Sequence, residues 1–323
     1  MLKAVEKIDL HLPISWGRMS VQELETVAKA MIDLEAENRL KPKPLADKEL
    51  RIRLFMQFTG LEILEPANPV IPVEEQFYVV RRKGINEQLN LYLWQIEYWI
   101  EHYMSWLDKK PTVIHFPYEK YTHLSWRGYH RYEGPATFMQ NFKWQQYRIA
   151  NDYYILFVKE SNRLYELLSD DTVSVTDLKK QQKLVRVAKA LFLATLFNRR
   201  IKYVDTETKL VKKEYMYASW QSIDNKYDFL NFDDVKFQVI LFWWSSELNR
   251  LAKTYPKVFK EEDTKKRKFV DPLTLYTRQT SIMEKYLRFS EEKLNRETYS
   301  NVLQHFQNMI DESDRMKEIS NKK

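Results

Sequence analysis

The stretch NEQLNLYLWQIEYWIEHYMSWL, residues 86–107, places Leu89, Leu93, Ile96, Ile100, Tyr103 and Leu107 at alternating steps of four and three. That period belongs to one face of an α-helix and to no strand. The stretch therefore reads as a helix with a continuous apolar face. Tyr92, Trp94, Tyr98, Trp99 and Trp106 surround that face with further ring area, which calls for burial on more than one side or for a partner surface that uses rings. Core burial is the simpler reading. Trp94, Trp99 and Trp106 are also the candidates for a partner surface, because tryptophan dominates interface energetics.

The same rhythm recurs along the chain. Ser20 stands three residues before Glu23, a capping box, and starts a helix with Val21, Leu24, Val27, Ala28, Met31 and Leu34 on one side, ending before KPKP at 41–44. A shorter helix through KELRIRLFMQF stops at Gly60, placed as a C-terminal cap. Pro66, Pro69 and Pro72 then require an extended connector, and QFYVVRR reads as a short strand. Residues 111–135, with three prolines and two glycines, break the rhythm and read as an aromatic, irregular or β-containing loop. A long helical section follows, faced by Phe138, Phe142, Ile149, Tyr153, Leu156 and Leu164.

Ser174 or Thr176 starts the next helix through KLVRVAKALFLATLF. RRIKYVDTETKLVKKEYMY alternates about the polar DTETK and reads as a β-hairpin, too short to stand without helices beneath it. Asp233 or Asp234 caps VKFQVILFWWSSELNRLAKTY. The run KEEDTKKRK, residues 260–268, is a linker to two C-terminal helices, DPLTLYTRQTSIMEKYLRF and ETYSNVLQHFQNMIDESDRM, with EISNKK fraying after them. The expected fold is mainly α: a multi-helix core with a short β-hairpin and an aromatic irregular loop, plus a small C-terminal helical unit. Expected divisions are 1–135, 136–260 and 261–323.

Composition narrows the chemistry. With 44% hydrophobic, 14% aromatic and 30% charged residues the chain belongs to the folded class. It has no cysteine, which removes disulfides, thiolate metal sites and thiol nucleophiles. Five glycines in 323 residues disfavour phosphate-cradling loops, and neither GxxxxGK[ST], GxGxxG nor GxSxG occurs. There is no HExxH, and His11, His102, His115, His123, His130 and His305 include no pair four apart. His115, His123 and His130 share the irregular loop with Glu119 and Glu133; they read as hydrogen-bonding surface. Glu97 and Glu101 read as the polar edge of an aromatic helix, Asp170 with Asp171 as a loop.

No catalytic residue, cofactor or metal is expected, so the chain reads as non-enzymatic. The first 16 residues carry Lys3, Glu6, Lys7 and Asp9 and lack the apolar run of a secretory signal. No apolar stretch reaches the roughly 20 residues of a membrane span. A protein made in the cytoplasm with no membrane partner is expected.

The 52 basic and 45 acidic residues give a net charge of +7 and are largely interspersed, which reads as a solvated surface. The competing reading is nucleic-acid contact, which needs cations interleaved with rings. HLSWRGYHRY at 123–132, RRIKY at 199–203 and KKRK at 265–268 have that character. Trp126, Arg127, Tyr129 and Arg131 are therefore candidate partner-binding residues. Trp16, in the extended LPISW before the first helix, is expected to pack on the core or on a partner.

The order LPISW before a capped helix, FKWQQYRIANDYY, ILFWWSSELNRLAKTYPKVF and DPLTLYTRQTSIMEKY resembles proteins in the tail or virion gene modules of tailed bacteriophages and prophages of Bacteroidota. The resemblance implies a structural or assembly protein of the particle: a tail, neck or other virion component, or a morphogenesis factor. Its partners would be other virion or assembly proteins, or further copies of itself. It would reside in the host cytoplasm during synthesis and then in the virion. The resemblance carries no catalytic residues. The alternative is a cytoplasmic nucleic-acid-binding protein with a basic aromatic surface.

Overall fold

Ser20 starts the first helix as its spacing requires: its Oγ accepts from the Glu23 amide at 3.2 Å, and the Glu23 carboxylate accepts from the Ser20 amide at 2.7 Å. The computed structural model describes residues 12–37, 43–82, 84, 88–112, 114–125, 128–170, 172–204, 209–216, 221–259, 285–286, 288 and 290–321. The chain divides into two compact units, one of residues 1–117 with 233–250, the other of 118–232 with 251–323.

In the first unit, helix α1 (Val21–Glu37) buries Leu24, Val27, Ala28, Ala30 and Leu34. Helix α2 (Lys43–Thr59) buries Leu54 and Phe55. Gly60 follows at φ +69°, the left-handed conformation that ends a helix without a Cβ penalty. Strand β1 (Leu61–Glu65) leaves directly from it, and the proline-rich connector leads to β2 (Phe77–Arg82). The latter is the strand expected from QFYVVRR. It lies at the centre of an antiparallel sheet of order β1-β2-β3.

Strand β3 (Gln88–Tyr92) corrects the expectation of one helix over 86–107. Its residues pair with Phe77–Arg81, because QLNLY alternates as well as it spaces helically and backbone partners lie beside it. Helix α3 (Leu93–Tyr103) starts where the Gln95 side chain accepts from the Tyr92 amide at 3.1 Å. From there the expected face holds at Leu93, Ile96 and Ile100, which are buried. It fails at the ends, for Leu89 and Tyr103 are exposed and Met104 is buried instead.

In the second unit, the residues expected as an irregular or β-containing loop contain a hairpin of β4 (Lys120–Ser125) and β5 (Gly128–Glu133). The expected hairpin at 198–216 is present as β6 (Asn198–Val204) and β7 (Val211–Met216), and the two hairpins join in one antiparallel sheet of order β4-β5-β6-β7. Helix α4 (Trp144–Leu168) starts later than its apolar pattern suggested, because Phe138 and Met139 lie at φ +55° and +53° and turn the chain before it. Its buried face is Trp144, Gln146, Tyr147 and Ala150.

Ser174 caps α5 (Val175–Leu196) by accepting from the Asp177 amide. Helix α6 (Gln221–Phe229) was not foreseen. Asp233 accepts from the Lys236 amide at 2.9 Å and so caps α7 (Asp234–Thr254), whose residues to Arg250 belong to the first unit. Helices α8 (Glu291–Arg296) and α9 (Tyr299–Asn321) close the described chain. The Trp144 amide donates to the Glu297 carbonyl at 2.8 Å, and the Tyr147 and Tyr299 rings stack at 5.4 Å. These C-terminal residues are thus tied to α4. The helix continues through Ile319 and Ser320, where fraying was expected. The linker at 260–268, its KKRK run and the helix expected from DPLTLYTRQTSIMEKYLRF lie outside the described residues, apart from isolated positions. Among the described residues no helix is long and apolar enough to cross a membrane.

Candidate functional site

Strand alternation divides the β4–β5 hairpin into two faces. Tyr121 lies opposite Tyr132 and His123 opposite His130, while Thr122 lies opposite Arg131 and Leu124 opposite Tyr129. The first set turns towards α6, where Asp228 receives it. The Asp228 carboxylate accepts from His130 Nδ1 at 2.5 Å and from the Tyr132 hydroxyl, and lies 3.8 Å from His123 Nε2. Its main-chain carbonyl accepts from the Tyr121 hydroxyl at 3.2 Å. An ionised carboxylate can only accept, so His130 carries its proton on Nδ1.

Rings close over this cluster. Tyr121 stacks on Phe229 at 5.0 Å and meets Phe232 edge-on at 5.2 Å, and Tyr132 lies 5.0 Å from Phe229. Burial pushes the Tyr132 phenol well above the ordinary tyrosine range, and its hydrogen bond to Asp228 raises it further. Tyr121 is raised by burial and then by the Asp228 charge. On the other side of the row, Arg199 donates to Asn225 of α6 at 3.3 Å. These bonds fasten the sheet to α6, while the buried Asn225 Nδ2 has no hydrogen-bond partner among the described residues. Among the described residues no group of three His, Cys, Asp or Glu side chains is arranged to hold a metal ion.

The opposite face of the hairpin is open. Leu124 is 65% and Tyr129 71% exposed, and Arg131 and Thr122 are exposed beside them. Trp126 and Arg127, at the hairpin tip, lie outside the described residues.

In the first unit the rings of α3 fall into two groups. Trp94 and Tyr98 are each 54% exposed, with Tyr92 and Tyr103 exposed near them. Tyr92 stacks on Trp94 at 6.4 Å and Tyr98 lies 4.1 Å from His102. Trp99 is half-buried and stacks on Phe55 at 5.7 Å. Lys48 pairs with Glu97 at 2.6 Å, a cation that offsets its repulsion with Glu101.

Trp16 and Trp106 are not partner-facing. Both are buried in the first unit, packed edge-on at 4.9 Å, and Trp16 Nε1 donates to the carbonyls of Trp106 at 2.8 Å and Lys109 at 3.0 Å. The Trp16 ring, whose one polar atom finds acceptors inside the fold, gains most by burial, whereas the buried Trp106 Nε1 has no hydrogen-bond partner among the described residues. Of the six candidates among the described residues, the structure leaves Trp94, Tyr129 and Arg131 at the surface. It brings Tyr129 and Arg131 together on one strand. Sequence reasoning missed Asp228, which sits in a short helix with no strong periodicity and whose partners are about a hundred residues away. Comparison with known protein families, with curated proteins and with solved structures found no match.

Proposed function

We propose that the chain is a non-enzymatic structural or assembly protein that works through protein–protein contacts, in a tailed-phage particle or in its assembly as the sequence resemblance implies. The observation that carries this reading is the outer face of α3. Trp94 and Tyr98, one helical turn apart, present their rings to solvent with Tyr92 and Tyr103 nearby, while Leu93, Ile96 and Ile100 hold the opposite face in the core. Exposed tryptophan and tyrosine on a rigid helix bury large area at little conformational cost, which is how interface anchors work. The Asp228 cluster supports the reading too, since its groups are engaged with one another and hold a fold together.

The test is capture with the tagged full-length protein from phage-producing host cells, with nuclease present throughout. Particle proteins are expected to be retained, and Trp94→Ala with Tyr98→Ala to weaken their binding by about 2 kcal/mol or more per ring. Both side chains are exposed, so the variant keeps its fold. Retention of no particle protein, or unchanged retention by the double variant, would remove this reading.

A further inference from the structure

We infer a second binding surface, in the second unit: the outer face of the four-stranded sheet is a platform for single-stranded nucleic acid. The first observation is charge. The four strands β4 to β7 hold seven basic residues against two acidic ones. The rest of the chain holds 45 basic and 43 acidic residues, so five of the seven net positive charges belong to these four strands. By contrast, the three strands of the other sheet carry two of each sign. A polyanion is the partner whose charge complements such a surface.

The second observation is topological. HLSWRGYHRY and RRIKY are separate in sequence, yet β5 pairs with β6 through Tyr132–Arg199 and Glu133–Asn198. The register then sorts the charges. Arg199 shares its face with Tyr132, towards α6. One step along in register, Arg200 and Lys202 of β6 lie opposite Tyr215 and Lys213 of β7. Among the residues whose side chains the structure describes, Lys120 and Arg131 lie on the outer face with Tyr129, with Glu133 opposite Lys120.

The third observation is the ring. Tyr129 is 71% exposed beside Arg131, with the equally open Leu124 opposite it. Phosphate contacts alone would suit any polyanion, whereas an exposed tyrosine between cations gives unpaired bases a face to stack on. Duplex bases are already stacked on each other and cannot use it. This selects a single strand over a duplex and over an acidic protein surface.

The experiment is fluorescence anisotropy of the full-length protein with labelled oligo(dT) and oligo(U) of about 20 nucleotides, a duplex of the same length and a polyglutamate competitor. At least one single strand is expected to bind at about 50 mM salt, and to lose about 50- to 100-fold in affinity by about 200 mM, as four or five phosphate contacts require. Tyr129→Ala should weaken it by about 5- to 100-fold, the loss of one stacked base. Arg131→Glu should weaken it at low salt and flatten the salt dependence. Tyr129 and Arg131 are exposed, and far-ultraviolet circular dichroism checks that both variants fold. Absence of binding by both single strands, equal affinity for the duplex, or wild-type affinity in Tyr129→Ala and Arg131→Glu would overturn the inference. So would displacement by polyglutamate at equal charge. Binding of only one of the two single strands supports it and tells whether the sugar is read.

Discussion

The two sheets of this molecule are both antiparallel and both short, yet they distribute polarity in opposite ways. In the three-stranded sheet, charge is matched in place: Glu62 lies opposite Arg81 in register and the two pair at 2.7 Å in solvent. Beside the four-stranded sheet, Asp228 of α6 lies in the interior and holds His130 and Tyr132, while the strands themselves carry seven basic residues against two acidic ones. A sheet that neutralises its own charge needs nothing further from solvent or partner. One whose strands hold seven basic residues against two acidic ones stays unbalanced even with Glu133 opposite Lys120, and the whole-chain balance of 52 against 45 conceals it.

The contrast predicts its largest effect at Asp228. Asp228→Ala leaves the buried Tyr132 hydroxyl and His130 Nδ1 without their acceptor, which should cost the second unit about 2 to 4 kcal/mol in urea unfolding. Asp228→Asn keeps an acceptor oxygen and should lose less. A loss below about 1 kcal/mol for the alanine variant would mean that water replaces the carboxylate freely and that the cluster does not fasten the sheet.

Alkaline titration separates the units next. Burial holds Tyr132 and Tyr147 in the protonated form well above the ordinary tyrosine range, and raises Tyr121, Tyr153 and Tyr154, all in the second unit. In the first unit Tyr78 is raised by burial. Above about pH 10 the unfolded chain releases phenolic protons that the folded chain keeps, so the folded state binds more protons and stability falls as pH rises. The stabilising contribution is complete below about pH 10, and each of Tyr132 and Tyr147 should remove about 1.4 kcal/mol per pH unit above it. Urea midpoints measured at rising pH should drop steeply, and Tyr132→Phe should make that slope shallower by about one proton. An unchanged slope would show that Tyr132 ionises in place.

What could be read from the sequence was what is decided locally. Ser20 with Glu23, Ser174 with Asp177 and Asp233 with Lys236 are caps written within three residues, and each forms. Strand β2 and the 198–216 hairpin carry their own alternation. The mainly helical class follows from such signals. The misplaced helix start at residue 86 has a different origin, because QLNLY satisfies both periods and the neighbouring strand decides between them. The helix start at Trp144 depended on two residues at positive φ, which no periodicity encodes.

The candidate surface was legible in part. Tyr129 and Arg131 came from the basic aromatic run HLSWRGYHRY, and Trp94, for which core burial is the simpler reading, is 54% exposed. Burial of Trp16 depended on acceptors 90 or more residues away. The joining of two hairpins into one sheet, and the division of the chain into units that each use two stretches of it, are long-range pairings of the same kind. Local patterns set which elements form, and distant partners set which faces stay open.

The smallest expected effect tests the other half of the contrast. Glu62 and Arg81 are paired in solvent at 2.7 Å, where ordering two long side chains offsets most of the attraction and salt screens the remainder. Glu62→Ala should therefore change the stability of the first unit by no more than about 0.5 kcal/mol, and by less still in high salt. The variant should nevertheless leave the three-stranded sheet with an uncompensated arginine, a weak copy of the charge pattern across the other sheet. Urea unfolding at two salt concentrations measures the first consequence, and oligonucleotide anisotropy the second. If one unpaired arginine were enough to bind oligo(dT), charge alone would account for nucleic-acid affinity in this molecule, and the exposed Tyr129 ring would lose its role as the feature that distinguishes the two sheets.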